Sequence, residues 1–144
     1  MQPEFDELCR KLVTDAADAI VYSDHDGVIR YWNGAAERLF GFGSAEAVGR
    51  SLDIIIPERL RARHWEGYRR TMATGTSRYQ SGALLSVPAV KKDGSQVSVE
   101  FTIVTITGDD GRLLGIAAIM RDVTDRFNEL KELRRRAGGT ARGS

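Results

Sequence analysis

The amino-acid sequence predicts an α+β fold in which a five-stranded antiparallel sheet carries helices on one face and a flanking helix at each end. Three observations predict it. Two short apolar runs near the N-terminus are separated by a turn signal, three longer apolar runs fill the second half, and patterns with helical period lie before, between and after them. The chain of 144 residues has the length of one domain with a hydrophobic core, and such a sheet with its helical cover encloses a cavity.

The composition excludes several classes of protein. There are 21 Lys and Arg against 20 Asp and Glu, so the net charge of +1 lacks the basic excess typical of nucleic-acid binding. The sequence contains no apolar run of about eighteen residues, so neither a membrane span nor a membrane partner is predicted. The N-terminus also lacks the apolar core of a signal peptide. We therefore expect a cytoplasmic protein. The single cysteine, Cys9, excludes an internal disulfide and a multi-cysteine zinc site, and is expected to pack beside Leu8 and Leu12.

The first elements follow from periodicity and turn chemistry. Apolar residues at spacings of three and four predict an amphipathic helix over residues 1–16. The runs AIVYS and VIRYW are separated by Asp-His-Asp-Gly at 24–27, which is a strong hairpin signal. His25 lies in this turn and is expected to be solvated rather than to bind a metal.

Three helices are predicted between the hairpin and the later strands. Two of them start after a residue whose side chain can accept a hydrogen bond from a free backbone N–H group, and the third starts at a proline, which has no N–H group. All three end at glycine. The predicted elements are Gly34–Phe40 after the cap Asn33, a short helix after Ser44 that stops at Gly49, and a longer helix from Pro57 to Met72 that stops at Thr74-Gly75.

The second half predicts three strands and an exit helix. GALLSVPAV, QVSVEFTIVTI and LLGIAAIMRDV are the strands, and alternation along the second places Val97, Val99, Phe101 and Ile103 on one face. RFNELKELRRR predicts a charged helix over residues 125–136, and the glycine-rich residues 137–144 predict a disordered tail. Residues 17–124 are the predicted globular domain.

Four stretches in this order resemble the PAS domain, a sensory module of bacterial signalling proteins. They are DHDGVIRYWNGAAERLFGF, GRSLDIIIPERL, KKDGSQVSVEFTI and MRDVTDR. The resemblance covers about residues 17 to 126 and implies the PAS fold. It also implies signal transduction, in which the domain binds a ligand or partner and shifts its own conformational population. The signal would then pass through the C-terminal helix to an output domain such as a histidine kinase or a cyclic-dinucleotide enzyme, and Asp122 and Thr124 would couple the domain to that helix.

The helix after Pro57 contains the candidate ligand-binding residue, His64. On a helical wheel one arc carries Leu60, His64, Gly67, Tyr68, Thr71 and Met72, with Arg61 intruding, and the opposite side carries Arg59, Arg63, Glu66, Arg69 and Arg70. His64 is therefore expected to face inward. It is either a hydrogen-bonded core histidine or an iron ligand, since a neutral imidazole is the commonest proximal ligand of haem.

IIPERLRARH followed by MATG resembles this helix in the haem-binding PAS oxygen and gas sensors. The resemblance implies haem b with iron on His64, and a diatomic gas (CO, NO or O₂) or redox state as the signal. Leu84 or Leu85 would replace the distal arginine of that family, and this apolar wall should stabilise Fe–O₂ less well than CO or NO. Tyr79 or Gln80 is a possible distal donor. Phe101 and Ile103 would be the distal walls of the pocket, and Gly67 would leave room for the macrocycle. Leu60 and Tyr68 are further implied pocket residues. Arg70 or Arg63 would either pair with a haem propionate or be exposed to solvent.

Other functions remain open from the sequence. The domain is alternatively a cofactor-free or small-metabolite-binding PAS module for dimerisation and signal relay, with His64 in its core. The flavin photosensor type needs a cysteine that AEAVGRSLDIII lacks, and FAD is not the expected cofactor; non-covalent flavin would have Trp32 and Trp65 as neighbours. The sequence shows no set of acid, base and nucleophile that would converge on a substrate, so we do not expect an enzyme.

Both terminal helices carry a narrow apolar seam, which is typical of helices that pair with a partner. We therefore expect a homodimer. The seams consist of Phe5, Leu8 and Leu12 at one end and Phe127, Leu130 and Leu133 at the other.

Overall fold

The computed structural model describes residues 1–75 and 83–142. Five helices, five strands and two 3₁₀ turns follow one another along these residues. In chain order they are α1 (Phe5–Asp15), β1 (Ala19–Asp24), β2 (Ile29–Trp32), α2 (Gly34–Phe40), α3 (Ser44–Ala47), the 3₁₀ turns Leu52–Ile55 and Glu58–Leu60, α4 (Arg61–Thr74), β3 (Leu85–Val90), β4 (Gln96–Thr107), β5 (Leu113–Asp122) and α5 (Thr124–Arg142).

The five strands form one sheet in the order β2-β1-β5-β4-β3, and every neighbouring pair is antiparallel. The last strand in sequence therefore lies beside the first, and the helices between β2 and β3 connect the two ends of the sheet. This confirms the predicted α+β class and the predicted five-stranded sheet. Within the described residues no helix is both long enough and apolar enough to cross a bilayer.

The core lies on one face of the sheet, which we call the inner face. Antiparallel pairing puts directly opposed residues on the same face. On this basis the inner face of the central strands carries Ala19 opposite Met120 and Val21 opposite Ala118. The helices and 3₁₀ turns add further buried apolar side chains from Phe40, Phe42, Ala47, Leu52, Ile55, Tyr68 and Met72.

Several helix ends differ from the prediction, beginning with α1, which starts at Phe5 rather than at residue 1. The segment after Pro57 begins as a 3₁₀ turn, and the α-helix starts only at Arg61. Ser44 is the first residue of α3 rather than its cap, because its backbone N–H donates to Glu37 Oε2 at 2.7 Å. The exit helix continues to Arg142 instead of ending at 136, so residues 137–142 are helical rather than a disordered tail. Extending a formed helix costs far less than starting one.

Asn33 connects three elements through its side chain. Oδ1 accepts from the backbone N–H of Ala36 at 3.0 Å, which caps α2 as predicted, and from that of Ile20 in β1 at 2.9 Å. Nδ2 donates to the carbonyl of Val13 in α1 at 2.9 Å and to that of Asp18 at 3.1 Å. The side chain therefore fixes the end of α1 against the starts of β1 and α2, and Asn33 is only 2% exposed.

Asn33→Ala is expected to lower the free energy of unfolding by about 2–4 kcal/mol, because it leaves buried backbone groups of three elements without partners. Urea unfolding measures this loss. Asn128→Ala, the same change at an exposed position of α5, should alter stability by less than about 0.5 kcal/mol. Equal losses in the two variants would contradict the connecting role of Asn33.

Candidate functional site

Helix α4 buries a narrower arc than the sequence predicted. Tyr68, Thr71 and Met72 are buried and His64 is half-buried, so the inward orientation of the histidine is confirmed. The predicted outer side is exposed throughout, at Arg59, Arg63, Glu66, Arg69 and Arg70.

Gly67 does not lie in the buried arc. It is exposed, and a Cβ built on it would meet no atom within 4 Å. At about 100° per residue, Thr71 and Met72 lie about 20° and 80° to either side of His64, whereas Gly67 lies about 60° away on the side nearer solvent. The open space beside Gly67 neither requires nor excludes a macrocycle there, so the role of this glycine stays a prediction.

His64 carries a buried polar atom without a partner. Among the described residues, its Nδ1 is buried and makes no hydrogen bond. Burial lowers the pKa of His64 below its usual 6.5, and the nearby Asp53 carboxylate offsets only part of this effect. The imidazole is therefore neutral at pH 7 and offers a lone pair for a ligand. An unsatisfied buried group of this kind costs about 1–3 kcal/mol.

Two aromatic rings pack against the imidazole. The ring centroid of Trp65 lies 4.7 Å from that of His64 in an edge-on arrangement, and Tyr68 lies 5.7 Å away. Trp65 and Tyr68 also contact each other, with centroids 5.3 Å apart. The three residues form an aromatic cluster, and sequence reasoning missed it because it treated Trp65 as a possible flavin neighbour or as a core or interface residue, but not as a partner of His64.

Tyr68 is held at its hydroxyl group. The hydroxyl donates to the backbone carbonyl of Asp24 at 2.5 Å and lies 2.9 Å from Ser23 Oγ. Burial raises the pKa of Tyr68 to about 12, and the hydrogen bond with Ser23 opposes this rise. The hydroxyl therefore remains protonated and able to donate at any physiological pH.

The inner face of β3, β4 and β5 supplies an apolar wall. Leu85 pairs with Phe101, and Phe101 in turn lies opposite Met120. Along β4 the burial of the inner-face side chains decreases, from Val99, which is buried, to Phe101 and Ile103, which are half-buried. The two predicted wall residues therefore lie on the inner face where it is least covered. Sequence reasoning did not include Met120, whose position depends on the pairing of β4 with β5.

Leu84 and the two arginines are exposed, which for the arginines is one of the two alternatives that the sequence left open. Leu84 precedes β3 and is 64% exposed, so only Leu85 lies on the inner face. Arg63 and Arg70 are on the solvent side of α4, and Arg70 Nη2 pairs with Glu66 Oε1 at 3.2 Å. Their wheel positions lie at least about 100° from His64, which explains the placement. A contact of either arginine with a propionate stays a prediction. Tyr79 and Gln80 lie outside the described residues.

The remaining candidates are structural or exposed. Trp32 is buried, donates from Nε1 to the carbonyl of Phe42 at 2.9 Å, and packs on Phe40, so it belongs to the core. His25 is exposed in its turn, as predicted. Cys9 is half-buried on α1. Within residues 1–75 and 83–142, no three His, Cys, Asp or Glu side chains come together as a metal site.

An open cavity of about 550 Å³ lies at the C-terminal end of α4. Its lining includes Met72 and Leu113, which belong to the hydrophobic core, together with residues of the β4–β5 turn. His64 is not among its lining residues. A second cavity of about 520 Å³, between α1 and α2, is lined by Asp15, Glu37, Arg38 and other mainly polar residues.

The start of the exit helix is bonded to the sheet. Asp122 Oδ1 accepts from the N–H of Thr124 at 2.9 Å and from its hydroxyl at 2.6 Å. The hydroxyl oxygen of Thr124 accepts from the N–H of Ser98 in β4 at 2.9 Å, and Val123 N–H donates to the carbonyl of Ser98 at 2.8 Å. Asp122 and Thr124 thus connect β4 and β5 to α5.

The lowered pKa of His64 predicts a pH dependence of stability. The unfolded chain takes up a proton near pH 6.5 that the folded chain resists, so the stability is complete above about pH 6.5 and falls as the pH drops below it. The slope from this group reaches at most about 1.4 kcal/mol per pH unit. Chemical denaturation between pH 5 and 8, without added ligand, measures it. His64→Gln should lose this component and His25→Gln, at the exposed histidine, should keep it; identical profiles for all three proteins would contradict it.

Comparisons with known proteins agree with this architecture. A family model described as the PAS fold matches residues 13–127. Three curated relatives are a protein of Azorhizobium caulinodans (33% identical over 91% of this chain), the oxygen sensor protein DosP of Escherichia coli (28% over 81%) and the sensor protein FixL of Bradyrhizobium diazoefficiens (31% over 65%). The aligned parts cover 18%, 14% and 18% of these relatives, so the chain spans less than a fifth of their length.

Solved structures show the same fold. A PAS domain from Colwellia psychrerythraea has a TM-score of 0.73 at 22% identity, covering 85% of this chain and 99% of that one. An RNA-binding light-oxygen-voltage receptor has a TM-score of 0.74 at 23% identity, covering 93% of this chain and 37% of that one. With the family match over most of its length, the chain belongs to the PAS family, the sensory domains of signalling proteins.

Proposed function

We propose that this PAS domain binds haem b with iron on His64 and senses a diatomic gas or the redox state of the iron. One observation supports this more than any other. A neutral imidazole on the inward side of α4 has a buried ring nitrogen without a partner among the described residues. Coordination of iron by Nδ1 would give this nitrogen the partner that it lacks.

The residues around His64 suit a flat apolar group. Leu60, half-buried one turn before His64, and Tyr68, one turn after it, would flank the macrocycle on the helix side. Leu85, Phe101 and Ile103 would form the wall on the sheet side. Haem, when bound, supplies an iron that binds diatomic gases and changes oxidation state. The protein residues would fix the imidazole and keep water away from the iron.

The apolar wall bears on which gas is preferred. Leu85, Phe101 and Ile103 carry no hydrogen-bond donor in their side chains, so they cannot stabilise the polar Fe–O₂ unit. CO and NO depend less on such a donor. We therefore propose that the domain discriminates against O₂ relative to CO and NO.

The relatives support a sensory role in a larger protein. DosP is named an oxygen sensor and FixL a sensor protein, and both are much longer than the part that this chain matches. We propose that the domain itself is not an enzyme and that its signal passes through α5 to an output domain such as a histidine kinase or a cyclic-dinucleotide enzyme. The cytoplasmic location stays a prediction.

A cofactor-free or small-metabolite-binding module is the second candidate. The contacts of His64 with Trp65 and Tyr68 favour it, because they already place the imidazole in an aromatic cluster that needs no cofactor. Non-covalent flavin has less support. Trp32, one of its two expected neighbours, is a core residue, and a likeness to a light-oxygen-voltage receptor at 23% identity concerns the fold alone.

The haem proposal predicts an intense Soret band in the protein purified with haem available. His64→Ala should abolish or shift the band, because the iron loses its protein ligand, whereas His25→Ala should leave it unchanged. Titration with CO, NO and O₂ then tests the effect of the apolar wall. If the wild-type protein has no Soret band and gains none with added hemin, the haem proposal is wrong and the second candidate replaces it.

The coupling proposal concerns Asp122. In the full-length protein, Asp122→Ala should leave ligand affinity unchanged but uncouple ligand binding from output activity, because Thr124 loses both hydrogen bonds to that carboxylate. The measurement is output activity with and without ligand. Asp109→Ala, at an exposed position of the β4–β5 turn, is the control. Normal signalling by the Asp122 variant would overturn the proposal.

We also propose that the domain forms a homodimer. Helix α1 has no buried residue, and its seam residues Phe5, Leu8 and Leu12 are 76%, 40% and 60% exposed. The seam of α5, which consists of Phe127, Leu130 and Leu133, is exposed as well. Exposed apolar residues of this pattern are typical of helices that pack on a partner, and one chain carries both seams for an isologous contact.

The double variant Phe5→Gln with Leu12→Gln is expected to shift the protein toward monomer, since it removes most of the apolar seam of α1. Sedimentation velocity at several protein concentrations measures the change. Lys11→Gln, on the same helix but outside the seam, should sediment like the wild type. A wild-type protein that is monomeric at all concentrations would rule out the homodimer.

A further inference from the structure

Two members of the aromatic cluster attach α4 to neighbouring segments, Trp65 to the 3₁₀ turn Leu52–Ile55 and Tyr68 to the first hairpin. Trp65 Nε1 donates to Asp53 Oδ1 at 2.7 Å, and the Tyr68 hydroxyl bonds to Ser23 and to the carbonyl of Asp24. His64 packs on both rings. A displacement of the imidazole must therefore press on side chains that are fixed at their far ends.

The turn between β1 and β2 is shaped to receive Trp65. Gly27 has a φ of 79°, and a Cβ built on it would overlap the tryptophan ring. Glycine is thus required at this position by both the backbone conformation and the close approach of the ring. The turn is held by Asp24 Oδ1, which accepts from the N–H of Asp26 at 2.9 Å and of Val28 at 3.0 Å.

The hydroxyl of Tyr68 does more than fill space. Ser23 is a buried polar residue on the inner face of β1, otherwise lined at this strand by Ala19 and Val21. Its hydroxyl lies 2.9 Å from that of Tyr68, and its other hydrogen bond, to the carbonyl of Ile116, is long at 3.5 Å. Phenylalanine and alanine would pack at these two positions without needing partners. The pair is therefore a specific connection between α4 and β1.

We propose that Trp65 and Tyr68 are positioning residues that fix the ring of His64 and transmit its displacement to the β1–β2 turn. The proposal rests on the proposed role of His64 as the residue that meets the ligand. It adds a second direction of coupling, toward the hairpin, beside the one through Asp122 to the exit helix. Removing the Tyr68 hydroxyl should remove the part of this coupling that passes through Ser23 and Asp24, while leaving the ring contacts in place.

The test is a double-mutant cycle read by amide hydrogen exchange, without any ligand. His64→Leu should change the exchange of the Gly27 and Val28 amides at least about twofold, and the change should be clearly smaller in a Tyr68→Phe background, where only the contact of Trp65 with Gly27 remains. His64→Gln serves as a second perturbation, and Arg63→Leu, on the exposed side of α4, as the matched control. NMR of ¹⁵N-labelled protein resolves the individual amides.

A second turn of the same kind provides an internal control. In the β3–β4 turn, Gly94 N–H donates to the carbonyl of Lys91 at 2.9 Å, and Ser95 N–H donates to Asp93 Oδ1 at 2.9 Å. The Gly94 and Ser95 amides should not respond to the substitutions at His64 beyond any global change. The proposal is overturned if Gly27 and Val28 respond no more than this turn does, or respond equally with and without the Tyr68 hydroxyl. Because no hemin is added, the result is independent of whether haem binds.

Discussion

The side-chain amide of Asn33 is the constraint on which the rest of the structure depends. It fills all four of its hydrogen-bonding positions with backbone groups of α1, β1, α2 and the segment between α1 and β1. This fixes where β1 begins. Because β1 is paired with both β2 and β5, its position then sets the registers on either side. A buried amide satisfied in this way is specific, since every alternative arrangement leaves backbone groups unpaired.

The same rule of polar satisfaction makes His64 stand out. Buried polar groups nearby, such as Ser23, Tyr68 and Trp65, have partners at 2.5 to 2.9 Å. Among the residues that the structure describes, Nδ1 of His64 has no such partner. In a fold where local and tertiary preferences otherwise agree, a deviation of this kind is expected where function requires it. Under the haem proposal, the orphaned nitrogen and the half-buried part of the inner face would be two sides of one ligand site.

Two sets of contacts would connect the proposed ligand site to other parts of the domain. One set passes through the aromatic cluster to Gly27 in the hairpin. The other passes from β4 and β5 through Asp122 and Thr124 to the exit helix. Both consist of short hydrogen bonds and close ring contacts within well-packed elements, which move as units rather than deform continuously. A ligand that displaces the imidazole or spreads β4 from α4 would thus act on both ends of the domain.

The sequence by itself determined the fold class, the order of the elements, the turns at Gly27, Gly75 and Gly94, and the inward direction of His64. These depend on backbone sterics and on side-chain periodicity, which act within a few residues. Only the tertiary structure decided that Trp65 lies against Gly27, that Tyr68 bonds to Ser23, that Met120 faces Phe101, and that Gly67, Leu84 and Arg70 are exposed. The bonded and packed partners come from segments distant in sequence. Which side of α4 is buried also depends on how the helix is tilted against the sheet, and periodicity cannot fix that angle more closely than a broad arc.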